Sequence, residues 1–289
     1  MPKPPSSSPR RLDVKRLLPA LLLLIPLISA AQETPPLTLK GRFEQGALIF
    51  GRTAPGVSIT VDERKLQVAA DGRFVFGLDR DAAAEVTLVL TPAGGAPTML
   101  RYPVARRSYN IQRLDGLPPK QVNPDPEMDA RIERETASNR AARARDTAAD
   151  HVFQSFIWPA RGAITGVFGS QRVLNGEPKQ PHYGVDVAGP VGAPVVAPAD
   201  GIVSLAHPDM FYSGGTLYLD HGRGVSSAFL HLSKILVKPG QAVKQGEKIA
   251  LIGKTGRVTG AHLDWRVNWF ESRVDAAQLV PAIKAAHTP

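Results

Sequence analysis

Seven histidines occur in the 289 residues, and all of them lie at or after His151. Three stand in short motifs suited to metal chemistry: His182-Tyr183-Gly184-Val185-Asp186, His231-Leu232-Ser233 and His262-Leu263-Asp264. Imidazole nitrogen and carboxylate oxygen both bind zinc at about 2.0–2.2 Å. The chain has no cysteine, so thiolate ligation and disulfides are excluded. On a strand, residues two apart share a face, and His262 and Asp264 therefore project together. His182 and Asp186 also share parity, but an extended chain would hold their α-carbons ~13 Å apart. They converge only where the chain bends, and Gly184 is the residue that would permit it. The apolar run Ser227-Ala228-Phe229-Leu230 would deliver His231 to the same pocket. His151, His207, His221 and His287 lack such partners and are expected to be structural, hydrogen-bonded residues.

The elements that must position these groups are mainly β. Alternating segments separated by Ala54-Pro55-Gly56, Asp71-Gly72 and Pro92-Ala93-Gly94-Gly95 predict a small Ig-like β-sandwich over residues 37–107, with strands at 37–39, 47–50, 57–61, 66–68, 73–76, 86–90 and 99–102. Asp79-Arg80-Asp81 within it has the look of a solvated turn. Residues 108–150 predict a polar helical linker, with Asp125 as N-cap, Pro126 at the first helical position and a Glu127–Arg131 pair. From 151 to 289, short strands broken by Gly and Pro predict an antiparallel β-domain that carries all the motifs.

The first 31 residues predict an export signal. Basic Lys3, Arg10, Arg11, Lys15 and Arg16 precede the apolar run from Leu17 to Ile28, and Ser29-Ala30-Ala31 fits a cleavage site. The run is shorter than the ~20 residues a spanning helix needs. Membrane attachment is expected only if this segment stays uncleaved. A periplasmic or cell-envelope location follows. The net charge of +9 favours an anionic polymer or surface as partner. With no aromatic-basic interleaving and no zinc-finger spacing, nucleic acid is not expected.

Residues from about Phe156 to Leu279 resemble the lysostaphin/LytM-type zinc metallopeptidases that cut peptidoglycan. The resemblance lies in His182-x-Gly-x-Asp186, in Pro194-Val195-Val196-Ala197-Pro198-Ala199-Asp200-Gly201, in Leu230-His231-Leu232-Ser233, in Val237-Lys238-Pro239-Gly240 and in Thr259-Gly260-Ala261-His262-Leu263. It implies a barrel-sandwich-like peptidase fold and a Zn2+ cofactor, with His182 and Asp186 as ligands. It also implies His231 and His262 as the catalytic pair. The family's third ligand is the second histidine of a His-x-His motif, and here that position holds Asp264. The next residues, Trp265-Arg266-Val267, replace the family's usual Phe/Trp-Glu-Val. A His-Asp-Asp set would carry two negative charges, which reduces the Lewis acidity of Zn2+ and moves preference towards harder ions such as Mn2+. If Asp264 ligates, the donors of His182, Asp186 and Asp264 should lie within roughly 3–4 Å of one another.

The resemblance implies a metalloendopeptidase acting on peptide crosslinks of peptidoglycan, with His262 as general base and His231 stabilising the oxyanion. The alternative is a catalytically degenerate module that binds peptidoglycan or activates a cell-wall amidase or another envelope protein.

Overall fold

A computed structural model describes Met1, residues 35–114 and residues 128–282. The expected signal segment and the expected cap at Asp125-Pro126-Glu127 lie outside the described residues. The protein is mainly β, as the alternating pattern requires.

The first strands are β1 (Leu37–Lys40), β2 (Leu48–Thr53), β3 (Ser58–Val61), β4 (Arg64–Lys65), β5 (Arg73–Gly77), β6 (Glu85–Thr91) and β7 (Thr98–Pro103). They form two sheets, ordered β1-β2-β5 and β4-β3-β6-β7. The period of two decides which side chains turn in: along β6, Val86, Leu88 and Leu90 are buried while the residues between them are not. They share one core with Ile49, Ile59, Phe74 and Phe76. The strand expected at Leu66–Val68 is replaced by the two-residue β4. Leu66 instead donates its N–H to the Ile59 carbonyl at 2.9 Å and drops its side chain into the core.

Beyond the sandwich come β8 (Ile111–Leu114) and the helix α1 (Asp129–Arg143). The helix has polar composition and is buried only at Ala142 and Arg143, in keeping with the expected exposed helix. Its Arg131 pairs with Glu135 at 2.7 Å and with Asp209 at 3.2 Å. Its C-terminal end rests on a sheet, where Ala142 packs with Tyr218 and Ala228.

The strands that follow are β9 (Ile164–Gly166), β10 (Gln171–Leu174), β11 (Glu177–Pro178), β12 (Val185–Ala188), β13 (Pro194–Val196), β14 (Gly201–Met210), β15 (Gly214–Gly222), β16 (Val225–Ile235), β17 (Ala242–Val243), β18 (Lys248–Ile252), β19 (His262–Trp269) and β20 (Ser272–Val274), and all but β10 and β11 belong to that sheet. The main path runs β17-β14-β15-β16-β19-β12-β9, with β13 on β18, β18 on β16 and β20 on β19. These pairings are antiparallel, as expected. The hairpin β10–β11 stands apart and takes β8 as a parallel neighbour. Strand β15 is buried along its whole length. Tyr218 packs against Ala142 of α1 while Leu217 and Leu219 turn into the main core, and this erases the alternation a half-exposed strand would show.

The sandwich also packs on the far end of the larger sheet. Arg107 pairs with Asp275 at 2.9 Å, the Arg273 N–H donates to Asp79 at 2.6 Å, and Gln278 donates to Glu44 at 3.2 Å.

His221 shows how the sheet handles a buried titratable group. It is fully buried, with Nδ1 donating to the Asp200 carbonyl at 2.8 Å and Nε2 beside Ser227 Oγ at 2.9 Å. Burial pushes its pKa down to about 4. Between that value and the unfolded value near ~6.5 the unfolded chain binds more protons, so stability is complete above ~6.5 and falls as pH drops towards 4, by about 3 kcal/mol. Urea denaturation from pH 7 to pH 4 should show this fall, and His221→Gln should flatten it.

Candidate metal centre

The strand register delivers the carboxylates. On the β12–β19 pair Asp186 lies opposite Asp264, and Ala188 lies opposite His262. One cross-strand position therefore brings together two acids that are 78 residues apart in the chain. Two glycines make room for them. A Cβ at Gly166 would strike the Asp186 carboxylate, and a Cβ at Gly184 would strike Asp264 and Arg266. Gly184 was expected to serve as a bend. The chain does bend there, without a positive φ, and the missing side chain also provides space.

His182 lies in irregular backbone just before β12. Its Nε2 stands 3.2 Å from Asp186 Oδ1, and its Nδ1 stands 4.0 Å from Asp264 Oδ2. The donors of His182, Asp186 and Asp264 all lie within 4.8 Å of one another. His182 Nε2 and Asp186 Oδ1 are both buried without an aligned hydrogen-bond partner. Buried polar atoms are rarely left so, and an ion is one of the things that satisfies them. Burial pushes the His182 pKa down, but the Asp186 and Asp264 carboxylates outweigh it and hold the pKa above the usual imidazole value.

Asp264 has a partner that the motifs did not reveal. Arg266 lies two residues along β19, on the same face. Its Nε donates to Oδ1 and Oδ2 of Asp264 at 3.1 and 3.0 Å, and its Nη2 donates to Oδ2 at 2.6 Å. Asp264 is 2% exposed. Burial raises its pKa, but Arg266 and His182 more than offset this and keep the carboxyl ionised below the usual range. Burial likewise opposes the charge on Arg266, and Asp264 restores it. The expected donor spacing of 3–4 Å holds between His182 and Asp186, and the set as a whole spreads somewhat wider, within 4.8 Å. The expected surplus of negative charge is also offset. With Arg266 counted and His182 neutral, the ligand group carries one net negative charge. These residues fit a divalent cation: one imidazole and two carboxylates converge within 4.8 Å, and their charge does not swamp the ion.

His231 and His262 flank the same point, with ring centroids 5.0 Å apart. His231 Nδ1 donates to the Thr255 carbonyl at 2.9 Å, and His262 Nδ1 donates to the Gly260 carbonyl at 3.0 Å. A carbonyl only accepts, so both rings carry hydrogen on Nδ1 and present Nε2 as a lone pair when neutral. His262 Nε2 stands 3.8 Å from Asp186 Oδ1. Burial pushes the His231 pKa down, with Asp264 opposing. His231 also has φ +64°, an uncommon backbone state for a residue with a side chain and a form of strain that gathers at functional sites. Among residues that the sequence reading did not assign a role, Arg266 is the most consequential. Its signal lay in the sequence as a basic residue at the position where the resemblance leads one to expect Glu.

Comparison with known proteins returns the same region. The profile of peptidase family M23 matches residues 180–276. The peptidoglycan DD-endopeptidase ShyB of Vibrio cholerae is 50% identical over 98 residues, which are 33% of this chain and 22% of the relative. ShyA of the same organism is 43% identical over 110 residues, 35% of this chain and 25% of the relative. The aligned region thus spans about a quarter of the length of these relatives. A crystal structure from Pseudomonas aeruginosa, assigned to peptidase M23, superimposes with a TM-score of 0.63 at 30% identity and covers 84% of this chain and 92% of that one. The likeness to this last protein runs through the sandwich as well as the motif-bearing sheet, and on that breadth the chain belongs to peptidase family M23.

Proposed function

We propose that the protein is an exported, metal-dependent endopeptidase that hydrolyses peptide crosslinks of cell-wall peptidoglycan. His182, Asp186 and Asp264 are the ligands, and zinc is the resident ion in preference to manganese. The observation that carries the reading is the convergence of His182, Asp186 and Asp264, whose donor atoms lie within 4.8 Å of one another beside Nε2 of His262. When bound, a divalent cation supplies Lewis acidity towards a carbonyl oxygen and acidifies water. His262, with Nδ1–H fixed on Gly260, is set to take a proton at Nε2 as general base. His231 can donate at Nε2 only as the imidazolium; burial, with Asp264 opposing, holds its pKa below the usual imidazole value, so it reaches that state by taking up a proton and then stabilises a developing oxyanion. Support for the substrate comes from the two relatives named as peptidoglycan DD-endopeptidases. The signal-like N-terminus and the +9 charge suit a periplasmic protein on an anionic polymer. The division into a sandwich at 37–107, a linker at 108–150 and a peptidase-like domain at 151–289 belongs to this proposal. No helix among the described residues is long and apolar enough to cross a membrane.

A second reading has its own observation. Arg266 already satisfies both oxygens of Asp264, which would suit a domain that binds peptidoglycan or activates a cell-wall amidase without cutting. Digestion of purified peptidoglycan by the wild type, with metal content measured alongside, separates the two. The first reading expects stoichiometric metal, released fragments, and a loss of about 10²–10⁴-fold in rate for His262→Ala with metal retained. Metal-free wild-type protein that releases nothing would establish the second.

A further inference from the structure

We propose that Arg80, on the β-sandwich, is a positioning residue for the loop that carries His182, so that the sandwich forms part of the framework of the metal centre. The inference rests on the reading of His182 as a ligand.

The turn Asp79-Arg80-Asp81 reads in sequence as solvated. In the structure Arg80 is 5% exposed. It leaves its own domain to grip the loop before β10. Its Nε and Nη2 both donate to the Gly169 carbonyl, at 3.1 and 2.8 Å, and Nη2 also reaches Gln171 Oε1 at 3.4 Å. Its Nη1 is held by Asp81 at 2.6 and 2.9 Å. The guanidinium lies 4.4 Å from the Tyr109 ring centroid, and the Tyr109 hydroxyl donates to the Arg80 carbonyl at 3.0 Å. A rigid planar fork closed on one carbonyl, supported by a carboxylate and a ring, fixes position in a way a flexible ammonium does not.

The peptide groups on either side of the gripped one are bonded directly to His182. The Gly169 N–H donates to the His182 carbonyl at 2.8 Å, and the His182 N–H donates to the Ser170 carbonyl at 2.8 Å. His182 lies outside any strand, so these two bonds do what a ladder does for Asp186 and Asp264. Gly169 has φ +85°, and a Cβ there would run into Tyr109, so the close fit between loop and sandwich requires glycine at that point. The chain after the sandwich adds to the hold: the Gln171 N–H donates to the Asn110 carbonyl at 3.0 Å, and β8 pairs with β10. Other polar contacts of the sandwich lie away from this loop: Arg107–Asp275, Glu44–Gln278 and Asp79 with the Arg273 N–H go to β20 and the turn after it, and Gln67 and Arg73 reach Asp146 and Asp150 after α1. Arg80 reaches the ligand loop, and those contacts would hold the interface without it. Groups that orient a ligand from outside the coordination shell are typically worth ~10–100-fold in metal affinity.

The test uses the full chain, stripped of metal and titrated with Zn2+ by calorimetry, in wild type, Arg80→Ala, Arg80→Lys and Glu44→Ala. Circular dichroism verifies folding, and amide hydrogen exchange is followed at Gly169 and His182. The expected result is Zn2+ affinity weakened ~10–100-fold in Arg80→Ala, a partial loss in Arg80→Lys, and no change beyond twofold in Glu44→Ala, which loosens the same interface away from the loop. Faster exchange at the Gly169 and His182 amides should accompany the loss. Arg80→Ala with wild-type affinity and wild-type exchange overturns the inference. Should Arg80→Ala fail to fold, Arg80→Lys takes its place, and unchanged affinity and exchange in it overturn the inference equally. Wild-type protein that binds no Zn2+ sinks the ligand reading instead. The exchange arm then decides on Arg80 alone, and unchanged protection at Gly169 and His182 counts against it.

Discussion

Arg266→Met should destabilise the metal-free protein by about 3–5 kcal/mol at pH 7, the cost of stranding one member of a buried ion pair. Asp264 is nearly inaccessible, and its oxygens take three N–H bonds from Arg266. Without the guanidinium, the carboxylate keeps its burial and loses the charge that compensated it. For a domain of this size the loss corresponds to a fall in Tm on the order of 10 °C. The pH dependence has a definite sign. In the wild type the depressed Asp264 pKa contributes stability above the unfolded value of ~3.9, and that contribution is lost as pH falls through the folded value. In the variant, burial acts unopposed by Arg266 and the pKa moves up. The gap between the two proteins should therefore begin to narrow above the unfolded value of ~3.9, as pH falls through the variant's raised pKa, and go on narrowing down to the depressed wild-type value. Thermal denaturation with chelator measures the gap, and added Zn2+ distinguishes a metal centre from a relic. If Asp264 is a ligand, Zn2+ becomes its remaining cation in the variant and raises the variant's Tm by more than the wild type's. A loss of less than 1 kcal/mol would mean that water has taken the place of Arg266, and the charge-compensation argument would fall with it.

Much of this architecture was legible in the residues because it rests on period and punctuation. The alternation of Val86, Leu88 and Leu90 and the turn at Asp71-Gly72 specify local structure, and the strands at 73–77 and 85–91 stand where such patterns put them. The convergence of His182, Asp186 and Asp264 was legible for a different reason. Spacing alone left His182 and Asp186 far apart, and the ordered set of motifs supplied what spacing lacked. What could not be read concerns pairs distant in sequence. Arg80 sits between two acids, a pattern that belongs to solvated turns, and only the fold shows Gly169 beside it, 89 residues later. The bend at Gly184 was legible; its second role as a spacer was not, because the crowding comes from Asp264 and Arg266 on the neighbouring strand. The hairpin β10–β11 is short and polar, so no periodicity announces it. Arg266 lies between these cases. It was visible as a departure from the expected Glu, yet its meaning depends on the burial of Asp264.

The meaning of that departure leads to the second large effect. Relative to the family's pattern, positions 264 and 266 have changed together: imidazole with a nearby carboxylate has become carboxylate with a nearby guanidinium. Restoring one position alone should therefore fail. Asp264→His removes the carboxylate that keeps the buried Arg266 charged, and it places an imidazole beside a stranded cation. Stability should fall by about 3 kcal/mol, and Zn2+ affinity should drop below that of the wild type, because Arg266 then repels the ion with nothing to offset it. Arg266→Glu alone sets two carboxylates side by side and should also lose stability. The double variant Asp264→His/Arg266→Glu removes both conflicts. Its imidazole is longer than the carboxylate and closes the span now left at up to 4.8 Å. Zn2+ affinity should exceed the wild-type value by about tenfold or more, with peptidoglycan digestion rising in step. The two positions touch, so the effects should be strongly non-additive, with a coupling of about 3 kcal/mol in stability. Calorimetric titration and denaturation of the four proteins complete the cycle. If Asp264→His by itself outperforms the wild type, Arg266 is a bystander, and the imidazole at 264 alone governs what the site holds.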